Sequence, residues 1–95
     1  MPEMNIRFPD EAPVFDGSAM ALRFVAEVDG EPVVCSVTAE ALEDHFGARS
    51  VLEAELVGAF QRGRESIQRV CCDALEQTGG GGAALHSGLF RIDRN

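Results

Sequence analysis

The sequence contains no tryptophan, no tyrosine and no lysine. Without the larger aromatics, the six phenylalanines must supply the bulky core side chains. All eight basic residues are arginine, which genome composition accounts for as readily as recognition does. No segment approaches the ~18–20 apolar residues of a membrane-spanning helix. The opening Met-Pro-Glu-Met-Asn has neither a basic patch nor an apolar run, which argues against a secretory signal. The three cysteines are odd in number and follow no disulfide-rich spacing, so a reducing cytoplasm is the expected compartment. There is no C-x-x-C, no H-x-x-x-H and no Cys/His cluster, so neither a metal nor another cofactor is expected. The run Gly79–Gly82 is not followed by Lys-Ser/Thr and reads as a flexible loop, not a phosphate loop.

What is present suits one small domain over residues 1–95. A chain this size buries roughly 60–70% of its unfolded surface, enough for one core. The 45% apolar content lies in the globular range. Net charge is −8 and uneven. Residues 1–60 hold 12 acids against three arginines, and residues 61–95 hold four acids against five. Nucleic-acid binding requires phosphate neutralisation, so only the last third offers any basis for it.

Asn5-Ile6-Arg7-Phe8 alternates polar and apolar before Pro9 and predicts a short edge strand. Residues 10–18 read as a loop, with Val14-Phe15 pinned on the core. Residues 21–37 read as a hairpin around Asp29-Gly30, a pair suited to the positive φ angles of a type I′ turn. A two-residue loop sets Val28 opposite Glu31, Ala26 opposite Val33, Phe24 opposite Cys35 and Leu22 opposite Val37. Side chains alternate along a strand, so these residues share one face. The other face carries Arg23, Glu27 and Ser36 but also Val25 and Val34, and is not cleanly polar.

Thr38 predicts an N-cap, with Glu40 in the first turn, Leu42 and Phe46 docking inward and Gly47 ending the helix. Ser50-Val-Leu-Glu53 reads as a capping box opening a second helix over 51–77. Its apolar positions recur at a 3.6 period through Leu52, Leu56, Phe60, Ile67, Cys71 and Leu75. Unbroken, it would span ~40 Å at 1.5 Å per residue, too long for a radius of gyration of ~12–13 Å. It must therefore bend near Gly58 or Gly63, or overhang and pack on another chain. One of Ala84–Ser87 and Leu89–Ile92 returns as a final strand. The expected fold class is α+β: an antiparallel sheet of three to four strands with two helices on one face, in the order β-β-β-α-α-β.

The chemically reactive residues have plainer readings. Cys35 falls mid-strand on the inward face, between Glu31 and Glu40, which disfavour a thiolate. Cys71 and Cys72 point ~100° apart on a helix, Cys71 inward and Cys72 half-exposed. His45 lies near a helix C-terminus among acids, where a cation is favoured. His86 and Ser87 are adjacent, and adjacent strand residues face opposite ways. Arg62, Arg64 and Arg69 form a modest basic patch on a wet helix face.

Asn5-Ile6-x-Phe8-Pro9, Val28-x-Gly30, Val34-Cys35-x-Val37-Thr38-x-Glu40-Ala41-Leu42, Phe46-Gly47 and a closing Leu85-x-Ser87 together resemble a family of small bacterial proteins, domain of unknown function 1488. The resemblance covers nearly the whole chain and implies a compact α+β fold, a bacterial cytoplasmic origin and no assigned activity. It supplies no catalytic residues to carry over.

Three functional expectations follow. The first is a non-enzymatic protein-interaction or self-associating module, a homodimer being the simplest form, using Val25, Val34, Arg62, Arg64 and Arg69 as contact surface. The second is a thiol-based sensor or weak enzyme using Cys35 or Cys72. The third is an anion- or nucleic-acid-binding regulator using the three arginines. No membrane association is expected.

Overall fold

The computed structural model describes residues 4–92. At its centre is a hairpin of two eight-residue strands, β3 (Ala21–Val28) and β4 (Glu31–Thr38). Asp29 and Gly30 take φ angles of 53° and 85°, the left-handed pair a two-residue type I′ turn needs. The register is the one the turn dictates, with Val28 opposite Glu31, Phe24 opposite Cys35 and Leu22 opposite Val37. Leu22, Phe24, Ala26, Val28, Cys35 and Val37 are all buried on one face.

Two short strands share the far edge of β3. β1 (Ile6–Arg7) sets Ile6 opposite Val28 and Arg7 opposite Glu27. β2 (Val14–Asp16) sets Val14 opposite Arg23 and Phe15 opposite Leu22. From Arg7 to Val14 the chain advances seven positions while β3 advances four, from Glu27 to Arg23. The two strands are thus one edge strand interrupted by a bulge of three extra residues. Val14-Phe15, expected as a pinned loop, is the strand beyond that bulge.

α1 (Ala39–Phe46) follows β4 directly. The Ala41 amide donates to the Thr38 hydroxyl at 3.1 Å, and Gly47 ends the helix at φ 79°. The expected second helix is two. α2 (Glu53–Arg62) and α3 (Arg64–Thr78) meet at Gly63, so the overlong helix bends there and not at Gly58. A Cβ on Gly63 would overlap the Phe46 ring, so only glycine lets α1 approach the joint this closely. The expected Ser50–Glu53 capping box does not form. Ser50 instead accepts the Leu52 amide at 3.3 Å in a local turn, and the helix opens after Leu52 without a side-chain cap.

Of the two candidate closing segments, the first is the strand, β5 (Ala83–Leu85). It runs parallel to β4, with Cys35 opposite Ala83 and Val37 opposite Leu85, so the sheet is mixed where a purely antiparallel one was expected. Leu89–Ile92 belongs to a helix, α4 (Ser87–Ile92), which packs on α1. The fold is α+β with five strands and four helices among the described residues, in the order β-β-β-β-α-α-α-β-α. Buried residues of the helices join the inward residues of β3 and β4 in one core cluster. The radius of gyration is 12.7 Å.

Candidate functional site

The bulge between β1 and β2 opens a groove of about 210 Å³ along the edge of β3. Its floor combines side chains from both sheet faces, Phe24 from the core face and Val25 and Val34 from the outer face. That combination exists only at an open edge, where a wall can pass from one face to the other. Phe8, Pro9 and Ala12 from the bulge form one wall, and Phe60, Arg64 and Gln68 from α2 and α3 form the other. The Phe24 ring lies 6.5 Å from Phe8 and 5.3 Å from Phe60, so three phenylalanines make a continuous apolar lining.

On the outer face the lining is an exposed apolar lip. Val14 is 58% exposed and Val34 61%. Val25 and Val34 are directly opposite across the hairpin, and valines so placed pack side by side. The charges around the lining are Arg23, Arg64 and Glu11. Arg23 approaches the Asp16 carboxylate at 3.8 Å, a long and exposed pair of little energetic weight. The Asp16 carboxyl is held below its usual range chiefly by the Ser18 hydroxyl, then by the Ala19 amide. Arg64 lies 5.3 Å over the Phe60 ring, and its Nε and NH2 donate to Gln61 Oε1 at 3.1 and 2.8 Å. The guanidinium is therefore fixed beside the phenylalanine lining.

Of the five residues singled out in the sequence, Val25, Val34 and Arg64 meet at this groove. Arg62 does not. Its NH2 donates to the Phe46 and Gly47 carbonyls at 3.1 and 3.2 Å, closing the end of α1. Arg69 points its NH2 at the Ser66 hydroxyl, 3.4 Å away on its own helix. Arg62 and Arg64 also line an open depression at the joint of α2 and α3, with Gln61, Glu65 and Ser66, and Arg69 is not part of that lining. No local signal marks Phe8 and Phe60 for the groove lining, because the register jump that opens the groove involves residues distant along the chain.

The thiols lie elsewhere. Cys35 and Cys71 are 1% and 0% exposed, and the Cys71 thiol donates to the Cys35 sulfur at 3.5 Å. That bond lowers the Cys35 pKa, contrary to the expectation drawn from Glu31 and Glu40, and raises that of Cys71. Cys72 is half-buried, and burial, with Glu76 and Asp73 nearby, pushes its thiol up. Neither buried sulfur is open to a reagent, and the accessible one is disfavoured as thiolate.

His45 and Ser87, far apart in sequence, do meet. His45 Nε2 lies 3.1 Å from both the carbonyl and the hydroxyl of Ser87. The carbonyl only accepts, so Nε2 carries the proton. The Ser87 hydroxyl donates to Asp44 Oδ2 at 2.7 Å. Both polarities are wrong for a base activating a nucleophile: the histidine donates, and the serine proton goes to aspartate. The cluster ties α4 to the end of α1. His86 Nδ1 accepts the Gly88 amide at 3.1 Å and takes no part in it. Among the described residues no group of three His, Cys, Asp or Glu is placed to hold a metal ion, and no helix is long and apolar enough to cross a membrane.

A family model described as protein of unknown function (DUF1488) matches residues 6–83. A crystal structure of a protein of unknown function from the DUF1488 family of Shewanella loihica PV-4 is similar over 90% of this chain and 96% of its own. The TM-score is 0.73 at 21% identity, a likeness that speaks for the fold. No curated protein matches.

Proposed function

The chain belongs to the DUF1488 family, and from that premise we propose that it is a non-enzymatic cytoplasmic interaction module that holds a segment of a partner protein in the β3-edge groove. The observation that carries this reading is the joining of a phenylalanine-lined groove to a valine lip in which Val14 and Val34 are each more than half exposed. Large apolar side chains left in water at one place, next to concave apolar surface, are what a docking surface requires. The titratable groups along the lining are Glu11, Arg23 and Arg64. These suit charge matching at a rim rather than proton transfer. Cytoplasmic residence is supported by three free thiols.

A peptide library displayed on phage tests the reading. Selection on the immobilised chain is expected to enrich peptides that bind saturably and are lost on Val34→Asp or Val14→Asp. Both sites are exposed enough for either variant to fold. Binders indifferent to both substitutions, or no enrichment at all, would overturn the groove as the docking surface.

Self-association is a second reading, favoured by one arrangement. Arg23, Val25 and Glu27 follow one another on the outer face of β3. A two-fold axis through Val25 would place Arg23 of each copy against Glu27 of the other, with valines between them. This is the self-complementarity an isologous contact demands. Light scattering at roughly tens of micromolar is expected to give twice the monomer mass in this case; a strict monomer rejects it.

A further inference from the structure

One edge of β3 is incompletely paired. β1 meets it at Val28 and Glu27, and β2 at Arg23, Leu22 and Ala21. Between them, among the described residues, no strand pairs with Phe24, Val25 or Ala26 on that side. Antiparallel strands direct the backbone groups of alternate residues to opposite edges. The alternation here is fixed at both ends. The Ala39 amide donates to the Met20 carbonyl on the β4 side, and the Asp29 amide donates to the Asn5 carbonyl on the β1 side. Even-numbered residues of this strand therefore address β4 and odd-numbered ones address the outer edge. Of the three residues in the gap, Val25 is the one whose amide and carbonyl both point into it.

We propose that this gap receives an extended peptide segment of acidic and apolar composition, one residue of which bridges Val25 through both backbone hydrogen bonds. The inference rests on the reading above and specifies its occupant. A donor and an acceptor on one residue, side by side on a strand edge, match the donor and acceptor of one residue in an extended peptide. A carboxylate or an acyl chain would leave one of the two unmet, and an unmet backbone group beside apolar side chains is costly. The volume agrees. Drug-sized ligands occupy about 300–1,000 Å³, whereas about 210 Å³ accommodates one or two side chains.

The geometry also fixes which side chains go where. Residues paired across a bridge project from the same face, so the bridging residue lays its side chain beside Val25 and Val14, with Val34 one strand further on. Its neighbours project to the other face, toward Phe8, Phe24 and Phe60. A bulky apolar residue belongs at one of these neighbouring positions and a β-branched one at the bridge. Arg23 at the groove is shared with Asp16 and accompanied by Glu11, and the cation of the opposite wall is the Arg64 guanidinium held over Phe60. Acidic flanks on the segment complement it.

The test titrates the full chain with acetylated, amidated hexapeptides of the pattern Glu-Zaa-Val-Zaa-Glu-Ala, with Zaa Leu, Ile, Met or Phe, followed by isothermal calorimetry and amide chemical shifts. At least one peptide is expected to bind saturably and to shift the Val25 amide resonance. N-methylation of the bridging valine should weaken it roughly tenfold or more, the scale of lost backbone hydrogen bonds. N-methylation of an adjacent residue, whose amide points away, should change it little. Replacing both Glu by Lys should weaken it at low salt. Equal binding by both N-methyl isomers, or selection from the phage library of peptides that bind as helices, would overturn the bridge while leaving the groove as a docking surface. Failure of the whole panel to saturate at millimolar concentration overturns the bridge, and failure of the phage selection as well overturns both.

Discussion

The Cys71 thiol donates a hydrogen bond to the sulfur of Cys35, with 3.5 Å between the two atoms in the interior of the core. It joins β4 to α3 across the layer between sheet and helices. The bond gives the pair an order of ionisation, Cys35 before Cys71, that burial keeps from being expressed. Alkylation should therefore label Cys72 alone in the native state, and slowly, because its thiolate is disfavoured. All three thiols should label in denaturant. Rapid native labelling of Cys35, read by mass spectrometry, would revive a thiol-sensing role.

Gly63→Ala should destabilise the fold by about 1–3 kcal/mol, the usual cost of forcing volume into a packed site. The added methyl would meet the Phe46 ring. Thermal unfolding should fall by roughly 4–8 °C per kcal/mol for a domain of this length. Phe46→Leu in the same background should recover part of the loss, and a double-mutant cycle would measure that coupling.

Thr38→Ala should cost about 1 kcal/mol, as for other N-caps whose hydroxyl accepts a helix amide, measurable by urea denaturation. This cap, the stop at Gly47 and every rung of the hairpin were legible in the sequence, because each depends on residues within a few positions. Asp29-Gly30 pointed to a two-residue turn, and the alternation of side chains fixed the buried face more firmly than the turn type. The parallel pairing of β5 was not legible. A three-residue strand carries no periodicity, and its partner, Cys35 against Ala83, lies across three helices in the chain. The approach of Val25, Val34 and Arg64 was half legible. The valines stood out as apolar on the wrong face, but the wall opposite them depends on a bulge that only the paired register reveals. The bond from Arg62 to the end of α1 was not legible, because nothing local signals that a helix carbonyl waits across the loop.

Asp16→Asn should loosen the turn that Asp16 organises through the Ser18 hydroxyl and the Ser18 and Ala19 amides. The carboxyl is held below its unfolded value, so its contribution is present above that value, near 3.8, and is lost as pH falls through the folded one. The variant should be less stable than the parent at neutral pH. The two should converge below about pH 3.8, the ordinary value for the group. A difference that stays constant through acid denaturation would remove the charge from the account.

Amide exchange should distinguish neighbours on one strand. The amides of Phe24 and Ala26 face β4, whereas that of Val25 faces the gap. Val25 should exchange faster than either in the free protein and slow on binding a partner segment. Equal protection at all three positions would mean that the gap is closed.

The interrupted edge strand also bears on how the molecule stays apart from its neighbours. A sheet grows into fibres from a long, flat, unpaired edge. Among the described residues, β5 on one side is three residues long, and β1 and β2 on the other are two and three. The long strands, β3 and β4, lie inside, although β5 covers only Cys35–Val37 of β4; in the stretch of β4 left open before it, Pro32 has no amide to offer. The one stretch of β3 left open has a single outward-facing rung, too short to seed sheet growth and walled by the bulge that made it. A fold that exposes backbone to recognise another chain can thereby do so on short lengths of edge without becoming a template for aggregation.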